Sequence, residues 1–123
     1  MAGKRKAYVN AHILSPREGL DGKGGILFED GWILSVGAGV TRDSVGAATE
    51  VVDCKGKHII PGLVDMRVFT GEPGSEYRES LASASEAAAA GGVTTMIVMP
   101  DTKPVIDDAA IVDYVLRRAR DTA

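Results

Sequence analysis

The side chains with chemical capacity are few, and most sit in one stretch. Residues 60–74, IPGLVDMRVFTGEPG, carry Asp65, Arg67, Phe69, Gly71 and Glu72. Side chains two apart on a strand share a face, so Asp65, Arg67 and Phe69 would be presented together. These three make no metal site, because Arg stays protonated and only donates, while Phe has no ligating atom. Asp65 could orient a site, or simply finish a strand. Glu72 could be an acid–base group, but Glu72-Pro73-Gly74 more simply forms the turn into a helix. Asp101 could bind a cation, yet one carboxylate makes no site. His12 and His58 have no ligand partner at i+2 or i+4 and read as structural. Cys54 is the only cysteine, so no internal disulfide or cysteine-based metal site is expected; its thiol reads as packed or idle.

The elements that must position these residues follow two patterns. Residues 7–14 read as a strand, 18–25 as a turn-rich loop, and 25–29 with 32–36 as a hairpin about Asp30-Gly31. Residues 37–48 read as loop and 50–53 as a fourth strand, with a turn at 55–57 and His58 in the turn before the next unit. His12 then lies on an outer strand. Residues 1–58 are thus all-β, and so small a set of strands needs another sheet or a neighbouring domain to cover its apolar face. From residue 59 to 123 strand and helix alternate. A strand is expected over 59–68, then a helix capped by Ser75 and stopped by Gly91-Gly92. The run 93–99 reads as a strand buried on both faces. A second helix is capped by Asp107, with Ile111, Val112, Val115, Leu116 and Ala119 on one face. Arg117, Arg118 and Arg120 near its end read as capping and solvated.

Composition narrows the function classes. The chain has 123 residues, 45% hydrophobic and 25% charged, with a formal charge of −3. That gives no basic footprint for nucleic acid. Lys4-Arg5-Lys6 reads as a solvated tail. No apolar run reaches the roughly 18–20 residues of a membrane span, and no apolar segment suited to a secretory signal follows the basic start. A cytoplasmic protein is expected.

Five stretches together resemble the N-terminal part of dihydroorotases, in the cyclic amidohydrolase branch of the metal-dependent amidohydrolase superfamily. They are VDCKG at 52–56, IPGLVD at 60–65, EPG at 72–74, AAAAGGVTT at 87–95 and MPDTKPVID at 99–107. The resemblance implies a fold class of β-sandwich strands followed by the first two β-α units of a (β/α)8 amidohydrolase barrel, incomplete in this chain. It also implies reversible ring closure of carbamoyl aspartate to dihydroorotate, with a metal-bound hydroxide attacking the ring amide.

In that family the first barrel strand ends in His-x-His, two metal ligands. An Arg beyond it and an Asn after the Met-Pro of strand two hold the substrate carboxylate. Here the ligand positions hold Arg67 and Phe69, and the clamp positions hold Gly71 and Asp101. No catalytic, metal or substrate-binding residue is therefore expected in this segment, and no cofactor, although active relatives use zinc. The remaining ligands of the family, a modified Lys, two His and an Asp, would lie beyond residue 123. Arg67 could place its guanidinium in the vacant metal position, or turn outward into solvent.

The resemblance implies a protein of pyrimidine biosynthesis that has lost catalysis and serves as a structural partner of aspartate carbamoyltransferase. The alternative is an active dihydroorotase or related cyclic amidohydrolase with a divergent metal site. A complete small binding module is a third reading, but two barrel strands would expose an apolar edge and face. Such a chain could also form a homo-oligomer through its unfinished sheet.

Overall fold

Strand β1 (Arg5–Ser15) organises the first half of the chain. The structure, a computed structural model, describes residues 4–122. It divides into two units, Met1–Pro61 and Gly62–Ala123. In β1, alternate residues from Ala7 to Ser15 are buried and those between are exposed or half-buried, the period of a strand with one wet face. β2 (Leu20–Glu29) and β3 (Trp32–Gly37) continue as an antiparallel meander. β4 (Glu50–Asp53) and β5 (His58–Ile59) pair with β1 in parallel. The order across the sheet is β3-β2-β1-β4, with β5 also on β1. His12 therefore lies on an inner strand, not an outer one, and His58 lies in a strand rather than a turn.

The hairpin forms where its sequence places it. Asp30 and Gly31 have φ of 49° and 84°, the two positive values of a type I′ turn. The segment 20–25, expected as loop, is instead strand. Its glycines serve close packing: a Cβ on Gly25 would stand 2.5 Å from the Tyr8 carbonyl oxygen and 2.7 Å from that of Val40. The loop after β3 also supplies core. Val40 and Val45 pack with Ala7 and Val9, flanked by Leu27 and Val51. Arg5 and Lys6, expected in a solvated tail, open β1 and pair with Glu29 at 3.1 Å and Glu50 at 3.0 Å.

β1 changes partners at Asn10. Lys6 to Val9 face β4, His12 and Ile13 face β5, and the register with β2 slips between Tyr8 and Ala11. Asn10 has φ of 54°, which Asn tolerates better than most residues. Its Nδ2 donates to Asp53 Oδ1 at 2.9 Å, and its carbonyl accepts from Gly56 N at 2.7 Å. The Lys55 N–H and the Asn10 amide hold the Asp53 carboxyl below its ordinary range. The bulge thus fastens the turn between β4 and β5. Asn10→Ala is expected to lower the unfolding free energy by about 1 kcal/mol, chiefly because Ala resists positive φ. Urea denaturation measures this, and an unchanged midpoint would show that the bulge needs no particular side chain.

In the second unit β6 (Leu63–Val68) and β7 (Val93–Val98) are parallel neighbours. The strand expected over 59–68 is divided, since His58 and Ile59 belong to the first sheet. Pro61, which has no N–H for a ladder, stands in the gap. Helix α1 (Leu81–Ala90) is capped by Ser80, not Ser75. Ser80 Oγ accepts from Ser83 N while Ser83 Oγ accepts from Ser80 N, a reciprocal capping box. Ser75 closes a separate turn, its carbonyl accepting from Arg78 N and Glu79 N. Gly91 ends the helix, and Gly92 follows at φ 81°.

Helix α2 (Ala109–Thr122) is capped by Asp108, one residue beyond Asp107. Asp108 Oδ1 accepts from Ala110 N at 2.7 Å and Ile111 N at 2.9 Å. Ile111, Val115 and Ala119 are half-buried, whereas Val112 and Leu116 remain exposed. β7 is not buried on both faces: Thr94, Thr95 and Ile97 are exposed, as are Leu63, Val64 and Met66 of β6. Two strands and two helices cover only part of their apolar surface.

Candidate functional site at the end of strand β6

β6 delivers its polar residues to no common centre. Asp65 Oδ1 accepts from Arg67 N at 3.0 Å, so its carboxylate satisfies the strand's own backbone. The Arg67 side chain is exposed and makes no ion pair among the described residues. The Phe69 ring is 38% exposed, and the Arg78 guanidinium lies 5.8 Å from its centroid, a cation–π distance. The strand end thus presents two guanidinium groups and a phenyl ring. Such a set repels a divalent cation and offers it no donor.

Past Phe69 the chain turns inward. Thr70, Gly71, Glu72 and Pro73 are all buried. Gly71 has φ of 72°, and a Cβ there would stand 2.2 Å from the Glu79 carbonyl oxygen. The position is therefore closed to any side chain in this backbone. Gly74 is equally confined, with Lys103 O at 2.0 Å from where its Cβ would be. Lys103 N donates to Pro73 O at 3.1 Å, which ties the loops following β6 and β7 together. Asp101 is exposed on the second of these loops. Its neighbour Thr102 is buried and donates to Pro104 O at 2.8 Å.

Glu72 is the buried centre of this loop, 2% exposed. Oε1 accepts from Arg118 Nε at 2.6 Å and from Tyr114 Oη at 3.3 Å, and Oε2 accepts from Leu81 N at 3.1 Å. Burial alone would push its carboxyl pKa up. The hydrogen bonds from Arg118 and Leu81, with the Arg118 charge and the Tyr114 hydroxyl, hold it below the ordinary value. Burial and the Glu72 charge raise the Tyr114 phenol in turn. Arg118 therefore belongs to an ion pair that joins α2 to the β6 loop. The sequence signal for it was present: Tyr114 and Arg118 stand four apart and share a helix face.

The structure also brings His12 and His58 together. They are direct partners across β1 and β5, with ring centroids 4.8 Å apart. Cys54 is half-buried, and its N–H donates to Val9 O at 2.8 Å. Among the described residues no group of three or more His, Cys, Asp or Glu side chains could hold a metal ion, and no helix is long and apolar enough to cross a membrane.

Residues 56–123 match the family model for dihydro-orotase-like proteins. The chain belongs to this dihydroorotase-like family. Among curated relatives it is 45% identical over 112 residues to the dihydroorotase of Pelobacter propionicus, covering 91% of this chain and 26% of that protein. It is 40% identical over 121 residues to the dihydroorotase of a Drosophila simulans Wolbachia, covering 98% of this chain and 27% of the other. It therefore spans about a quarter of the length of these relatives. Among solved structures, L-hydantoinase (dihydropyrimidinase) of Arthrobacter aurescens matches with a TM-score of 0.79 at 28% identity, over 97% of this chain and 25% of that one. Molinate hydrolase matches with a TM-score of 0.58 at 25% identity, over 95% and 28%. The dihydroorotase-like fold seen here is β-sandwich strands followed by the first two β-α units of an amidohydrolase barrel.

Proposed function

We propose that this chain is the N-terminal part of a dihydroorotase-family protein of pyrimidine biosynthesis that no longer catalyses ring closure, and that its fold serves as a structural partner of aspartate carbamoyltransferase. Family membership supports the pathway. The carrying observation for lost catalysis is the end of β6. Arg67 and Phe69 stand where the resemblance implies two metal-binding histidines, and neither residue can ligate a metal. Gly71 stands at the position of the substrate-clamping Arg, against the Glu79 carbonyl. Asp101 stands at the position of the Asn clamp, where a carboxylate repels the carboxylate of the substrate. The partner role rests on the family resemblance, with the transferase as the preceding enzyme of the pathway.

Two measurements on the full-length gene product test the two halves of this reading. A dihydroorotate hydrolysis assay with added zinc is expected to show no turnover. Turnover would establish the alternative, an active dihydroorotase or related cyclic amidohydrolase with a divergent metal site. Co-purification with aspartate carbamoyltransferase is expected to give one complex with altered transferase activity. Two separate species and an indifferent transferase would end the scaffold reading.

A further inference from the structure

We propose that His12 and His58 form a surface site for a divalent transition-metal ion of the zinc type in the first unit. The two residues are direct partners on parallel strands, so their side chains leave the same wet face of the sheet. Two imidazoles sharing one metal at angles of about 90–109°, with bonds of about 2.0–2.1 Å, would place their centroids about 4.5–5.2 Å apart. The observed separation is 4.8 Å, with the ring planes tilted by 41°. The pair is thus already spaced as two ligands of one ion.

A third residue orients the first ring. His12 Nε2 lies 2.7 Å from Asp21 Oδ1 on β2. A carboxylate that accepts from one ring nitrogen fixes the tautomer and leaves the other nitrogen, Nδ1, with its lone pair for a metal. Asp21 is the orienting group and His12 and His58 are the two ligands. Both rings reach solvent, so water completes the coordination. The ring nitrogens of His58 make no hydrogen bond among the described residues, so binding need not break one. Lys23, opposite His12 on β2, is an unfavourable neighbour on this face, and it is exposed to solvent, which screens its charge. Imidazole ligands suit zinc and copper, and copper(II) binds such sites more tightly.

The consequence is local. β5 has only two residues, His58 and Ile59. A bridging ion would fasten it to β1 and stabilise the folded form by mass action.

The test is a titration of the chain with zinc chloride. It has two histidines, so their ring signals in NMR report on the site directly. One equivalent of zinc is expected to shift both rings together and to raise the melting temperature. His12→Ala and His58→Ala should each abolish saturable binding and the melting shift. Asp21→Asn should keep the site but weaken it about 10-fold. Shifts confined to one ring, or zinc binding undiminished in both alanine variants, would overturn the proposal. None of these readouts involves dihydroorotate, so the result is independent of whether the protein is catalytic.

Discussion

Glu72→Ala is expected to lower the unfolding free energy of the second unit by about 2–3 kcal/mol. The substitution strands the buried Leu81 N–H and removes the carboxylate that accepts from the Tyr114 hydroxyl and the Arg118 guanidinium. Breaking a fully buried pair costs about 3–5 kcal/mol. The lower figure applies because the Arg118 side chain is 46% exposed and water takes over part of its partner's role. Denaturation followed by the helical circular-dichroism signal measures the loss. Glu72→Gln separates charge from shape. The Glu72 carboxyl is held below its unfolded value of 4.5, so its contribution is complete above that pH and disappears as pH falls through the folded value. The stability gap between the native protein and Glu72→Gln should therefore close on acidification. A gap that stays constant from neutral pH to about pH 3 would mean that the ionised carboxylate does not hold α2 to the loop.

Gly71→Arg, which restores the residue type the family resemblance implies there, is expected to destabilise the chain by about 3 kcal/mol and to restore nothing. A left-handed backbone costs a non-glycine residue about 1–2 kcal/mol, and forcing atoms into a packed site adds about 1–3 kcal/mol. The Glu79 carbonyl oxygen, 2.2 Å from the new Cβ, belongs to the backbone just before α1 and cannot rotate away as a side chain would. Gly39→Ala is the control: it has open space and no positive φ, and it should be close to neutral. The readouts are the urea midpoint and dihydroorotate turnover in the full-length product. Unchanged stability would show that the loop opens readily. Position 71 would then count as an absent side chain rather than a closed one.

What could be read from the sequence was what neighbours in the chain decide among themselves. The Asp30-Gly31 hairpin, the strand at 50–53 and the glycine stop of α1 all depend on residues within a few positions. The strand at 20–25 escaped because its glycines resemble a loop until β1 is laid beside them. Ser75 and Ser80 are equivalent as candidate caps until Ser83 reaches back to one of them. The side chains at the end of β6, Arg67 and Phe69 among them, were legible residue by residue. Its closure was not, because the Glu79 carbonyl, the Lys103 backbone and the Arg118 guanidinium reach the loop from other elements. His12 and His58 each looked solitary for the same reason, and only the parallel pairing of β5 with β1 makes them a pair.

The position of β1 within its sheet also sets an order of assembly. β1, β2 and β3 are consecutive and joined by short turns, so their contacts close small loops and can form early. β4 and β5 must find β1 from the far end of the unit, after the irregular segment carrying Val40 and Val45 has settled. The meander is therefore expected to form first, and the β4–β5 segment to dock last and to exchange its amide hydrogens with solvent soonest, an order that hydrogen-exchange measurements would check.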